Sequence, residues 1–198
     1  MRKPRKEMIA ETRAKLLAAG RKAFGTVGYA EATMDHFTAE AGLTRGALYH
    51  HFGDKKGLLQ AVVLEIDAEM ASRLSDLSRR AGDRWQGFVD ENVGYVKMAL
   101  EPEIQRIMFR DGPAVLGDPS QWITADGCIA ALTRTLTALK DEGLVIDIDA
   151  EAGARLISGA SCYAAQWIAN ADDPEAASLK AVSAFKAMLE GFRRNPGK

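Results

Sequence analysis

Thr33–Phe52, TMDHFTAEAGLTRGALYHHF, reads as two short helices joined by a tight turn. Thr33 is a good N-cap, with a hydroxyl able to take an orphan backbone N–H. Met34, Phe37 and Ala41 then recur at helical spacing and give one apolar face. Gly42 stands just past that pattern, where a helix ends by letting one residue turn left-handed. Leu43 follows as an apolar plug. Thr44 is a second N-cap, and a second helix runs from Arg45 to about His51. A helix, a short turn with Gly and a second helix make the helix-turn-helix unit, whose second helix enters the DNA major groove.

The second helix divides into faces. At about 100° per residue, Arg45, Gly46, Tyr49 and His50 fall on one arc of about 140°. Leu48 lies away from that arc and is expected to face the core. Arg donates two hydrogen bonds to guanine O6 and N7. Tyr and His reach phosphate oxygens or base edges. Gly46 weakens the helix by about 1 kcal/mol relative to Ala, a cost that makes sense where backbone and DNA approach closely.

Around this unit, Thr12–Leu59 resembles the DNA-binding domain of TetR-family transcriptional regulators. The matching pieces are Phe24 with Gly28-Tyr29, Thr33, Ala41-Gly42-Leu43, Leu48-Tyr49-His50-His51-Phe52, and Asp54-Lys55 before Leu58-Leu59. The resemblance implies an all-α homodimer. Its N-terminal three-helix head binds double-stranded operator DNA, and a larger C-terminal bundle releases it when a small-molecule effector enters. Carried over by position, it puts Arg45, Gly46, Ala47, Tyr49 and His50 near bases or backbone, and Thr33, Thr44 and Lys55 at phosphates. Three residues depart from the family pattern. Asp35 stands where a basic or polar DNA reader is common, and phosphate repels an acid. His36 replaces the acid that would complete a capping box. Thr38 stands where Ala is usual.

The charge distribution points the same way. Residues 1–56 carry 11 Lys/Arg and 6 Asp/Glu, whereas the rest of the 198-residue chain carries 15 and 21, so a net −1 hides +5 joined to −6. A basic segment beside an acidic one fits a nucleic-acid end and a non-nucleic-acid end. Arg2-Lys3-Pro4-Arg5-Lys6 reads as a solvated arm, or as one touching phosphates or the minor groove. No apolar run reaches the ~20 residues of a membrane span, and the charged N-terminus lacks the apolar stretch of a secretory signal. Cys128 and Cys162 are far apart and read as reduced core thiols in a cytoplasmic protein, a redox pair being the alternative.

The organisation expected is a DNA-binding domain over 1–56 and a ligand-binding and dimerisation domain over 57–198, with about nine helices and no strands. A helix from Glu11 to about Thr26 ends at Gly28. Asp54 caps a helix to about Arg80, and further helices are expected at 83–100, from Pro102 to about Arg110, at 120–142, at 150–171 and from Pro174 to about Arg194. Asp111–Pro119 reads as an irregular loop and Leu144–Ile148 as a packed linker. The helix over 150–171 is rich in Ala and Gly, which lets helix axes approach, and the family resemblance makes the last two helices the dimer interface.

Every histidine lies in the helix-turn-helix unit (36, 50 and 51), and the body offers no catalytic set, phosphate loop or metal-ligand spacing. No cofactor, metal or enzymatic activity is expected. Asn92, Tyr95, Met98, Met108, Phe109, Trp122, Tyr163 and Trp167 are the candidates for lining a mostly apolar effector pocket, ordinary core being the plainer reading for each. Asn92, a polar amide in an apolar stripe, needs a partner from a neighbouring helix or a ligand. The function this supports is a ligand-responsive repressor on a pseudo-palindromic operator. The alternatives are an activator, or a ligand-binding or scaffold protein of the same fold with weakened DNA binding.

Overall fold

A computed structural model describes residues 4–194. The chain is 83% helical, without strands among the described residues, and has about ten helices. They are α1 (Arg5–Thr26), the single turn α2 (Gly28–Glu31), α3 (Met34–Ala41), α4 (Arg45–Phe52), α5 (Lys55–Arg80) and α6 (Arg84–Lys97). A 3-10 turn, Met98–Leu100, follows. Then α7 runs through Pro102–Ile104, a π-helical stretch Gln105–Asp111 and Gly112–Leu116. The last three are α8 (Ala125–Asp141), α9 (Ala150–Asn170) and α10 (Pro174–Glu190).

Two compact units form, one from Met1–Asp67 with Pro102–Gly117, the other from Ala68–Glu101 with Asp118–Lys198. The division therefore falls inside α5, and a segment distant in sequence joins the head.

The first unit is built on Leu16, Phe24, Phe37, Leu48, Leu58 and Leu59, all fully buried. Phe24 meets the edge of Phe37 at 5.2 Å and stacks on Tyr29 at 5.7 Å. Each such side chain contributes roughly 1.5–3 kcal/mol of burial. At Gly20 an added Cβ would lie 2.7 Å from Leu58 Cδ2, so glycine is what lets α1 and α5 close up. The second unit packs α6, α9 and α10 over Phe88, Val96, Ile157, Ile168 and Leu189. The Trp85 indole N–H donates to Glu190 across 3.0 Å.

Several expectations change. Helix α1 begins at Arg5, not near Glu11, so Arg5 and Lys6 are helical, while Arg2 and Lys3 lie outside the described residues. Pro4 presets the entry, and a Glu11–Lys15 pair at 3.1 Å supports turns that bury nothing. Hydrophobic periodicity misses such turns because it starts only at Leu16.

Asp111–Leu116 is helical, not a loop. The Gly112 N–H reaches back five residues to the Ile107 carbonyl. This widened turn precedes Pro113, whose ring would strike the i−4 carbonyl of a regular α-helix. Helix α8 starts at Ala125, after a 3-10 turn at Pro119–Gln121, and α10 ends at Glu190. The linker at 144–148 is held by the chain after α10: Ile146 N–H donates to Phe192 O at 3.0 Å, and Arg194 N–H to Leu144 O at 2.8 Å. Cys128 is exposed and Cys162 half-buried, so neither is a core thiol of the kind expected. Burial raises the Cys162 pKa, hydrogen bonds from Gln166 and Tyr95 opposing it.

Candidate nucleic-acid interface

The geometry of the α3–α4 unit comes from its caps. The Thr33 hydroxyl accepts from His36 N–H at 3.2 Å and starts α3. Gly42 takes φ 64°, and the chain folds back with Gly42 N–H on Ala39 O and Leu43 N–H on Thr38 O at 2.8 Å. Those two bonds satisfy carbonyls the helix end would orphan. The Thr44 hydroxyl accepts from Ala47 N–H at 3.3 Å, and α4 begins. In each cap the threonine uses acceptor capacity, which leaves its O–H proton to donate. Buried Thr38 directs its hydroxyl to the Met34 and Asp35 carbonyls of its own helix.

Leu48 is fully buried and fixes the rotation of α4. Arg45, Gly46 and His50 are therefore exposed, Tyr49 is 54% exposed, and Ala47 is half-buried. A Cβ added at Gly46 would have the Thr44 hydroxyl, 3.8 Å away, as its nearest neighbour. Nothing within the chain therefore demands glycine there. His51 turns inward, and burial, then His50 and Arg13, lower its pKa. Arg13 sits 5.2 Å above the Phe52 ring.

Asp54 caps α5 by accepting from Gly57 N–H at 2.7 Å. Lys55, in the first turn, lies 4.3 Å above the Tyr29 ring and donates to Ala30 O at 3.3 Å. The ammonium thus has a fixed place at the edge of the unit and two donors beyond that bond.

Sequence reading missed what Asp35 does. Its two carboxylate oxygens accept from Nε and Nη2 of Arg45, across the turn from α3 to α4. That hydrogen bond chiefly holds the Asp35 carboxyl below, and the Arg45 guanidinium above, its ordinary value. Opposite charges at the two helix starts were the available signal. His36, the other departure, approaches Glu40 at 3.5 Å, and Glu40 accepts from Lys22 at 2.5 Å.

The head also has polar ties to α7. Arg21 is bidentate to Glu103 at 2.8 and 2.9 Å and reaches Glu65 at 3.0 Å. Arg106 donates to the carbonyls of Gly25 and Thr26, the open end of α1.

Of the eight residues considered for an effector pocket, two lie in the first unit and six in the second. Met108 and Phe109 are buried in the first unit, and Met98 is buried in the second. Asn92, Tyr95 and Trp122 are half-buried, and the Asn92 amide donates one hydrogen bond to Phe88 O of its own helix at 2.8 Å. Tyr163 and Trp167 are 74% and 45% exposed. An open cleft of about 370 Å³ in the second unit is bordered instead by Arg79, Arg84, Phe88, Glu91 and Leu139 among others. Among the described residues no helix is long and apolar enough to cross a membrane.

Comparison with known proteins agrees with this architecture. A family model described as the tetracyclin repressor-like C-terminal domain matches residues 85–192, and one described as bacterial regulatory proteins, tetR family, matches residues 16–62. The HTH-type transcriptional repressor AcnR of Corynebacterium glutamicum is 31% identical over 100 residues, 50% of this chain and 52% of that protein. TtgR of Pseudomonas putida is 43% identical over 58 residues, 29% of this chain and 28% of that one. The chain thus spans about half the length, or less, of these curated relatives. A TetR-family transcriptional regulator of Pectobacterium atrosepticum, known from its crystal structure, is 48% identical with a TM-score of 0.90, covering 98% of this chain and 100% of that one. RolR, crystallised with resorcinol, is 21% identical with a TM-score of 0.67 over 93% of this chain and 90% of that one, a likeness of fold alone. Head and body each carry the mark of the same lineage, and the chain belongs to the TetR family of bacterial transcriptional regulators.

Proposed function

We propose that this chain is a dimeric transcriptional repressor that grips a pseudo-palindromic operator through α4 and lets go when a small, largely apolar effector enters the body. The observation that carries the reading is the split of α4, with Leu48 wholly buried and Tyr49 more than half exposed beside Arg45 and His50. Arg45, Gly46, Ala47, Tyr49 and His50 face bases or backbone. Thr33, Thr44 and Lys55 hold phosphates. The role is regulatory, not enzymatic, and the AcnR relatives carry the name of repressors.

One helix with a few base contacts needs a second copy to select a site in a genome. The outward arc of α9 supports one: Leu156, Gly159, Ala160, Tyr163 and Trp167 share a face, with Leu156 68% and Tyr163 74% exposed. Leu179 on α10 is 76% exposed. Large apolar side chains left in water on consecutive helices mark an interaction surface, and a second copy of the same two helices fits it. A two-fold axis then sets the two α4 helices about 34 Å apart, or a multiple, along the duplex. Tyr163 and Trp167 go to that interface, while Asn92, Tyr95, Met98 and Trp122 are the body residues offered to the effector. The effector acts by binding more tightly to a conformation whose heads are wrongly spaced.

The test is titration of the full chain onto labelled duplexes between about 50 and 200 mM salt. The reading expects log affinity to fall linearly with log salt and one sequence to outlast the rest. Affinity independent of salt, or equal for every duplex, overturns it.

A further inference from the structure

We propose that Asp35 is the residue that sets the sequence preference of this regulator, by holding Arg45 in the orientation that reads guanine. The inference rests on the α4 reading above and adds a determinant outside it. The geometry is specific. Asp35 accepts from Nε–H and from one N–H of Nη2, the side edge of the guanidinium. The end edge, Nη1 with the second proton of Nη2, is the pair that matches guanine O6 and N7. One carboxylate therefore fixes the plane of the fork without taking the donors that read the base.

The placement matters as much as the bond. Both side chains are at the surface, Asp35 at 64% and Arg45 at 62% exposure. An arginine on the exposed first turn of a helix otherwise samples many rotamers and reaches phosphate as easily as base. The carboxylate restricts both freedoms. It ties up the side edge, and its negative charge is repelled by the phosphate backbone, so the fork is directed toward base edges. Asp35 is a positioning residue: it touches Arg45, not the DNA. Its presence lowers affinity for DNA in general and raises selectivity, and these two effects have opposite signs.

The experiment uses the full chain and a duplex pool with a randomised core, selected over several rounds and then measured on the winning and random sequences. The wild type is expected to enrich a guanine in each half-site. Asp35→Asn and Asp35→Ala are expected to bind random duplex more tightly, by about two- to fivefold at low salt. They are also expected to lose about two- to fivefold of the preference for that guanine. In an Arg45→Ala background, Asp35→Asn should leave base preference unchanged, a result that a merely structural role for Asp35 would not give. Melting temperatures of the variants, expected within a few degrees of the wild type, keep misfolding apart from altered reading.

Enrichment of the same guanine to the same degree by wild type and Asp35→Asn overturns the proposal while leaving the α4 reading intact. So does a stronger guanine preference in Asp35→Asn, which would make the carboxylate a competitor for Arg45. A wild type that enriches nothing overturns the underlying reading and the proposal together.

Discussion

The backbone N–H of Tyr29 donates to the carboxylate of Asp111 at 2.7 Å, linking α2 to a residue 82 positions later. Gly28, just before it, has φ 86°, and a Cβ there would come within 3.3 Å of the same carboxylate. The head is thus completed by α7, and its stability depends on a segment outside the helix-turn-helix motif.

Asp111→Ala leaves the partly buried Tyr29 N–H without that acceptor. The expected cost is about 1–3 kcal/mol, read as a lower melting temperature. Asp111→Asn keeps an acceptor oxygen and should lose less. Equal melting of wild type and both variants would show that the bond adds no stability.

Gly46→Ala should act in opposite directions on folding and binding. The site accepts a methyl group, and Ala is about 1 kcal/mol better than Gly in a helix, so thermal stability should rise. If α4 lies close to the duplex, operator affinity should fall. A variant that gains stability and binds unchanged would place the DNA farther from Gly46.

Lys55→Ala should weaken every duplex by a similar factor and flatten the salt slope by about 1, as expected when one phosphate is no longer neutralised. The Tyr29 ring and Ala30 carbonyl that hold the ammonium then have no partner there, so a small drop in melting temperature should accompany this. A change in base preference would contradict a phosphate role.

At Gly159 an added Cβ meets nothing within 4 Å of its own chain, so Gly159→Leu fits the protomer. Any loss of association then reports on a second copy. Sedimentation should show dimerisation weakened by at least about tenfold, ~1.4 kcal/mol. An undisturbed dimer would put the interface elsewhere.

Burial raises the Glu91 carboxyl above its ordinary value, a hydrogen bond from Ser78 opposing it. The native state therefore keeps this proton to higher pH than the unfolded chain. Its contribution to stability is intact below the unfolded pKa of about 4.3 and declines as pH rises toward the native value. Glu91→Gln should leave stability unchanged at acid pH, raise it at neutral pH and flatten the profile between. Parallel melting profiles would contradict the sign.

The parts of the molecule legible in the sequence are those governed by neighbours. Thr33, Gly42, Thr44 and Asp54 sit at helix boundaries, and each signals over three or four residues. The Arg45–Asp35 fork was missed because two helix starts had to be folded against one another before the charges met. The ties of Arg106 and Asp111 to the head were missed because their partners lie about 80 residues away. Pro113 looked like a helix breaker, yet the π-helical widening ahead of it kept α7 going. Tyr163 and Trp167 were grouped with the interior because bulk alone suggests core. Their spacing with Leu156 and Gly159 instead describes one outward face of α9, a distinction that needs the register of α9 against its neighbours.

The most direct measurement of the central claim is interference by methylated guanine N7, which blocks the major groove alone, in complexes of the full chain with its selected duplex. Loss of binding is expected at methylated guanines in two half-sites centred about 34 Å apart, or a multiple, and that interference should vanish when Arg45 is replaced by Ala. Binding indifferent to N7 methylation, with the wild type and Arg45→Ala equally selective, would contradict it.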